Sequence, residues 1–268
     1  MPEDVLLTEK RDKVTILTLN RPQNLNALNG ELQNAIIQSM LDLRKDDSVW
    51  AVVLMGAGRG FCSGADLRGG PRPAATEALN SRERRLDTLN WVGKLAIAIY
   101  RTLDKPIIAA VNGVAAGAGM SVALACDMRV GCENTRFKTV FIERNLSTDT
   151  GMSYFLPRIV GYSRACDLVY TSRNVDAQEA YRIGLLDRLV PAEKLLEEAV
   201  ALANQVVAWP PVAMQSVKRV LQQSMETSLE DQLRNETLGL LLSARSPEDA
   251  KESRASFLEK RAPKFTGN

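Results

Sequence analysis

The run WAVVLM at residues 50–55 most constrains the fold, because it is continuously apolar and does not alternate with polar residues. Continuous apolar runs are typical of strands that helices cover on both faces, as in parallel sheets. KVTILTLN (13–20) predicts an earlier strand, and helical spacing from Leu28 to Leu43 behind an Asn29 cap predicts a helix between the two strands. This order predicts βαβ units and an α/β fold.

The same alternation continues along the chain. The Pro- and Ala-rich segment 70–82 lacks periodicity and predicts a mobile loop, followed by one long helix to about Leu103. KPIIAAVNG (105–113) predicts a short strand, and AAGAGMSVALACD (115–127) predicts a helix that opens on glycines.

The pattern changes at Pro191, because four helical segments follow it without an intervening strand. We therefore predict an α/β core over 1–190, with the binding site, and a C-terminal helical region over 191–268. Such a helical layer packs either on a neighbouring subunit or on its own core.

Composition excludes several classes of partner. The chain carries 34 Lys and Arg against 32 Asp and Glu, a net charge of +2, which gives no electrostatic case for nucleic acid or an acidic membrane. The four cysteines form no CxxC pair, and no secretory signal is recognisable, so we expect reduced thiols in the cytoplasm. The uncharged stretch 107–126 is broken by Asn112 and three glycines, which favours a buried strand and helix over a membrane span.

The chain contains no histidine. This excludes Ser-His-Asp and Cys-His nucleophilic catalysis, histidine-based metal sites and imidazole bases. Acid–base chemistry must therefore use carboxylates, Tyr, Lys, Cys or water, and we predict no metal site.

Two glycine-rich segments follow predicted strands but fail the dinucleotide fingerprint, at Phe61 and at Val122. Neither has the Lys-Ser ending of a phosphate-binding loop, so pyridine-nucleotide oxidation and nucleotide hydrolysis are disfavoured. Both open a predicted helix on small residues, at Gly64 and at Gly117 to Gly119. Two such openings facing one another would hold an oxygen anion between two N–H donors, whereas tight packing is the alternative explanation for the glycines.

RGFCSGADL (59–67), residues 105–130 and residues 151–191 together resemble the enoyl-CoA hydratase/isomerase family, also called the crotonase superfamily. The resemblance covers nearly the whole chain. It implies a spiral of ββα repeats that binds acyl-CoA thioesters, as a trimer or dimer of trimers, and stabilises a thioester enolate with two backbone N–H groups. By position, these donors are those of Ala65 and Ala118.

The family's hydratases use two glutamates, and the matching positions here are Ser121 and Phe141, so a two-glutamate hydration is not expected. Asp149, eight residues before Pro157, resembles the aspartate that moves protons in the family's dienoyl-CoA isomerases. We predict Asp149 as the acid/base; the alternative is that it caps a helix that begins near Thr150. Ser121 can orient water or a substrate hydroxyl.

Glu143 is a weaker candidate base, with a solvated charge as the alternative. Asp66 is predicted to fix the oxyanion loop or cap its helix, and Asp127 to be structural. The resemblance further implies that the chain around Leu25 to Leu28 and the backbone near Ala65 to Arg68 hold CoA. The predicted contacts are Leu25, Ala27, Leu28, Gly64, Ala65, Asp66, Leu67 and Gly117. Arg21, Arg59 and Arg68 are candidate contacts of the CoA phosphates, and Lys260 and Lys264 are candidates to reach the CoA of a neighbouring subunit; a solvated surface charge is the alternative for all five.

We therefore expect a cytoplasmic enzyme that hydrates or isomerises an enoyl-CoA, with Asp149 as acid/base. No separate cofactor is expected, because CoA is part of the substrate. One rival is a non-catalytic acyl-CoA binder that has lost both glutamates. Another, a serine hydrolase with Ser121 as nucleophile, lacks the histidine that such enzymes ordinarily use.

Overall fold

The computed structural model describes residues 4–68 and 81–268. Its strands in chain order are β1 (Leu6–Arg11), β2 (Val14–Leu19), β3 (Ala51–Gly56), β4 (Gly60–Cys62), β5 (Ile107–Val111), β6 (Val114–Ala116), β7 (Met128–Cys132), β8 (Arg136–Lys138), β9 (Val175–Asp176) and β10 (Arg188–Val190). Its helices are α1 (Gly30–Lys45), α2 (Ser81–Leu86), α3 (Asn90–Ile97), α4 (Ala118–Ala125), α5 (Met152–Val160), α6 (Tyr162–Thr171), α7 (Ala177–Arg182), α8 (Leu195–Val207), α9 (Pro211–Gln223), α10 (Leu229–Ser243) and α11 (Pro247–Glu259).

Two sheets run through the core. The larger has the order β1-β2-β3-β5-β7-β10, with β1 antiparallel to β2 and the other pairs parallel; the smaller has the order β4-β6-β8-β9. From β3 to β8, each strand of the large sheet is followed by a strand of the small sheet and then by one or two helices. The predicted α/β fold with ββα repeats is confirmed.

Helix α1 begins where the sequence predicts, because the Asn29 side chain accepts a hydrogen bond of 2.9 Å from the Leu32 N–H. The predicted long helix to Leu103 is wrong. It is divided into α2, α3 and a π-helical segment, Ala98–Thr102. The Asp87 carboxylate accepts the N–H groups of Leu89 and Asn90, which competes with helical pairing and ends α2. The predicted 70–82 loop lies outside the described residues except for 81 and 82, which begin α2.

Both faces of the large sheet are covered, as the continuous apolar run 50–55 predicts. One face packs against α1, α3 and α4, and the other against α8. The buried residues of α8 belong to the sheet core, although α8 follows the change of pattern at Pro191; they are Leu195, Ala199, Leu202, Ala203 and Val207. The division at 190 stays a prediction.

Helix α9 docks on the core through one buried cation. The Lys218 ammonium lies 2.9 Å from Asp127 Oδ2 and donates to the Lys105 carbonyl, and the same carboxylate oxygen accepts the Ile107 N–H. Asp127 therefore joins α9 to the first residue of β5. No helix in the described residues is long and apolar enough to cross a membrane.

Helix α11 begins at Pro247, and Asp249 lies in its first turn. Its carboxylate accepts the N–H groups of Thr266 and Gly267, so it holds the C-terminal tail against the helix.

Candidate active site

The two glycine-rich openings lie against each other. Gly64 has φ 96° and Gly117 has φ 51°, conformations that L side chains rarely adopt. A Cβ on Gly64 would lie 2.7 Å from the Ala116 carbonyl oxygen and 3.6 Å from the Ala118 nitrogen. Both glycines are thus required by a turn and a close approach, and the first loop meets the first residue of α4.

Two backbone N–H donors, those of Ala65 and Ala118, lie at this meeting point. Leu28 donates its N–H to the Gly64 carbonyl and accepts from the Asp66 N–H, so the N–H of Ala65, between them, points away from Leu28. Ala118 is the first residue of α4, and its N–H has no acceptor within the helix. Within residues 4–68 and 81–268, neither N–H donates to a protein acceptor.

Helix α4 approaches the first loop closely because of Gly119. A Cβ on Gly119 would overlap the carbonyl oxygen of Cys62 and would lie 2.8 Å from the Cys62 sulfur. The Cys62 thiol is fully buried and donates to the Asn26 carbonyl, and burial raises its pKa to about 12. The thiol is therefore neutral near pH 7 and is not a nucleophile.

An ion pair holds the outer side of the first loop. Arg21 Nη2 lies 2.8 Å from Asp66 Oδ2, with about a tenth of each side chain exposed, and Arg21 Nη1 donates to the Ala27 carbonyl. The Arg21 hydrogen bond, and then the Arg68 N–H, hold the pKa of Asp66 below its usual range. Asp66 is therefore an ionised loop anchor. Arg21 is not a solvated surface charge, because it connects the 25–28 and 64–68 segments.

Asn26 is a positioning residue that the sequence analysis missed. It is fully buried with φ 55°, donates to the Ala57 and Gly60 carbonyls, and accepts the Arg21 N–H. Asparagine tolerates this left-handed conformation better than most residues. The signal in the sequence is the asparagine-rich, aperiodic stretch RPQNLNALN, residues 21–29.

The predicted CoA contacts divide into buried and exposed groups. The N–H groups of Leu25, Ala27 and Leu28 donate to protein carbonyls, and the Ala27 and Leu28 side chains are buried. These residues shape the loop, and we expect any CoA contact there to use the partly exposed Leu25 side chain. Leu67 is 68% exposed and Arg68 is also exposed.

Ser121 lies one helical turn after Ala118 on α4 and is fully buried. Its hydroxyl donates to the Asp149 backbone carbonyl at 3.1 Å, a contact across 28 residues. The expectation that Ser121 orients water therefore has no support in this geometry, because the hydroxyl faces protein and not solvent. Instead, the contact holds the Asp149 backbone against a residue of α4 that lies one turn after Ala118.

The segment from Asp149 to Met152 is a tight turn. The Met152 N–H donates to the Asp149 carbonyl at 2.9 Å, and the central residues Thr150 and Gly151 have φ 50° and 83°. Helix α5 begins at Met152, two residues after Thr150, and its N-cap residue is Gly151 and not Asp149. A left-handed β-branched residue such as Thr150 costs about 1–3 kcal/mol.

Phe141 and Glu143 do not reach this turn as proton-transfer groups. Phe141 is 5% exposed and belongs to the apolar core. Glu143 is exposed and pairs with Lys138 at 2.7 Å, a hydrogen bond that lowers its pKa. Its alternative assignment as a solvated charge agrees with this position.

An apolar cavity of about 430 Å³ lies between α9 and the C-terminal end of α4. Phe155 lines it, and the Phe155 ring also lies directly over Gly151, so the cavity wall and the Asp149 turn share a side chain. No three His, Cys, Asp or Glu side chains in the described part of the chain are grouped to hold a metal ion.

Comparison with known proteins identifies the family. A family model for enoyl-CoA hydratase/isomerase matches residues 9–268. The chain is 36% identical over 264 residues to a Mycobacterium bovis protein named a probable enoyl-CoA hydratase, covering 98% of this chain and 92% of that protein. It is 33% identical over 259 residues to a short-chain-enoyl-CoA hydratase of Clostridium acetobutylicum, covering 96% of this chain and 95% of that protein.

A solved structure shows the same architecture. The chain superposes on a probable enoyl-CoA hydratase/isomerase from Mycobacterium abscessus with a TM-score of 0.87 and 36% identity, covering 98% of this chain and 99% of that one. The fold is therefore the crotonase fold. Because the family model and these relatives span almost its full length, the chain belongs to the enoyl-CoA hydratase/isomerase family.

Proposed function

We propose that this protein binds an enoyl-CoA thioester, stabilises its enolate with the N–H groups of Ala65 and Ala118, and moves a proton with Asp149. The supporting observation is the contact between the Gly64 loop and the start of α4, which brings two unpaired backbone donors together. In enzymes with an oxyanion hole, removal of one donor lowers the rate by about 10²–10³-fold.

Asp149 is the proposed base because its backbone is hydrogen-bonded to Ser121, one helical turn after Ala118, and the residue is partly exposed. For a 3-enoyl substrate, the carboxylate takes a proton from C2, the electrons pass to the thioester oxygen, and the acid returns a proton to C4. For a hydration, the carboxylate takes a proton from water as oxygen bonds to C3, and returns one to C2. Either step needs one carboxylate, which agrees with Ser121 and Phe141 at the glutamate positions.

CoA is part of the proposed substrate, so the proposal includes no separate cofactor. It includes no metal ion either. Apolar side chains on α10 and α11 support assembly into a homotrimer or a dimer of trimers; they include Leu229, Leu240, Phe257 and Leu258, each more than two thirds exposed. Light scattering tests this: a monomer at all concentrations contradicts it.

The test of the chemistry is NMR of 2-enoyl-, 3-enoyl- and dienoyl-CoA thioesters with the protein in D₂O. We expect deuterium next to the thioester, or a moved or hydrated double bond, and a loss of about 10²–10⁴ in rate for Asp149→Asn. Glu143→Gln is the matched control, since it makes the same carboxyl-to-amide change at a solvated position. Equal activity of Asp149→Asn and the parent contradicts the assignment of Asp149.

A second candidate function is a non-catalytic acyl-CoA binder, which the buried Phe141 at a glutamate position favours. A binder keeps the two N–H donors and needs no base. It predicts that thioesters bind to the parent and to Asp149→Asn with equal affinity and that no thioester exchanges or reacts with either protein.

A further inference from the structure

Thr150 adopts a conformation that its residue type disfavours. It is β-branched, 2% exposed and has φ 50°, next to Gly151 at φ 83° in the turn that presents Asp149. Turns with two central residues of positive φ ordinarily use glycine, asparagine or aspartate there. A threonine in this place calls for a specific contact that one of those residues would not provide.

The Thr150 side chain makes such a contact. Its hydroxyl donates to Asp149 Oδ1 at 3.0 Å. Because Thr150 is buried, little water is available to replace this bond, and bonds to a charged acceptor are among the stronger ones.

The backbone of Asp149 is held independently of its side chain. Its carbonyl accepts two hydrogen bonds, from the Ser121 hydroxyl at 3.1 Å and from the Met152 N–H at 2.9 Å. These bonds fix where the backbone of Asp149 lies, and they do not act on its carboxylate. The Thr150 hydroxyl is a contact that fixes the carboxylate itself.

We propose that Thr150 is a positioning residue, whose hydroxyl holds the Asp149 carboxylate in the orientation that transfers the proton. This inference rests on the proposed function, because it takes Asp149 as the acid/base. It explains a buried β-branched residue in the left-handed region: the turn keeps an unfavourable backbone conformation because the hydroxyl is needed at the carboxylate.

The test compares Thr150→Val, which removes the hydroxyl and keeps the β-branched shape, with Thr150→Ser, which keeps the hydroxyl. We expect Thr150→Val to lower kcat and kcat/KM together by about 10- to 100-fold, since a misplaced catalytic group loses rate without loss of substrate binding. We expect Thr150→Ser to recover kcat to within about threefold of the parent. Thr148→Val is the matched control: it makes the same change two residues away, outside the turn, and we expect parental kcat.

The outcomes separate this inference from the proposed function. If Asp149→Asn is inactive while Thr150→Val keeps parental kcat, the positioning role is overturned and the base stands. If Thr150→Ser is as slow as Thr150→Val, the effect comes from packing and the inference is likewise overturned. If Asp149→Asn keeps parental activity, both the base assignment and the role of Thr150 are wrong.

Discussion

The two loops that carry the proposed oxyanion donors are held by different forces. The 25–28 and 64–68 segments are tied by polar side chains, chiefly the Arg21–Asp66 ion pair and the buried Asn26 amide. The start of α4 is held by close backbone packing, which Gly117 and Gly119 permit. The position of the Ala65 N–H thus depends on charge and hydrogen bonding, whereas the position of the Ala118 N–H depends on glycines that leave room for close packing.

The two donors of one site can therefore be positioned by different interactions, one by polar side chains and the other by close packing of the backbone. Added volume should disturb the α4 side, whereas lost charge should disturb the Arg21 side. We expect the largest loss in the free energy of unfolding from a substitution on the α4 side, because backbone atoms have little freedom to move away from a new methyl group.

Gly119→Ala should lower the free energy of unfolding by about 3 kcal/mol, because the new methyl would overlap the Cys62 carbonyl. Urea unfolding measures this. Gly30→Ala in α1 is the control, since a Cβ there meets nothing within 4 Å, and the change should be no more than about 1 kcal/mol. Equal effects of the two substitutions would show that packing does not hold the α4 side.

Arg21→Met should lower the free energy of unfolding by about 2 kcal/mol, because it leaves the largely buried Asp66 carboxylate without its cation. Arg234→Met removes a cation from an exposed pair with Asp231, so its expected effect is under about 0.5 kcal/mol. If both substitutions cost the same, the ion pair does not anchor the first loop.

The smallest expected effect is a change with pH in the difference between the free energies of unfolding of the parent and Arg21→Met. The folded-state pKa of Asp66 lies below its unfolded value, so its contribution is fully present above the unfolded pKa and is lost as pH falls through the folded pKa. The stability gap between the parent and Arg21→Met should therefore be constant well above the ordinary aspartate pKa of about 3.9 and should narrow below it, from about pH 4 to about pH 2. A gap that stays constant over this range would contradict the role of the Asp66 charge.

The sequence predicts the elements that local patterns specify. The Asn29 cap acts over three residues, and the glycines that open α4 are neighbours in the chain, so each is readable from its own segment. The order of strands and helices can be predicted from the spacing of apolar residues, because helices that cover both faces of the sheet require apolar side chains at these positions.

Contacts between distant segments are not readable in this way. Arg21 and Asp66 are 45 residues apart, and Ser121 and Asp149 are 28 apart, so neither pairing leaves a local pattern. The break after α2 depends on whether the Asp87 side chain captures nearby N–H groups, which periodicity does not reveal. The sequence does not predict the turn before α5, because a threonine such as Thr150 rarely adopts a positive φ.

The most direct test of the central claim is a crystal structure with a bound saturated acyl-CoA. We expect the thioester oxygen to lie about 2.7–3.1 Å from both the Ala65 and the Ala118 nitrogen, with the Asp149 carboxylate facing C2. A thioester oxygen that contacts neither nitrogen, or an acyl chain that lies away from Asp149, would contradict it.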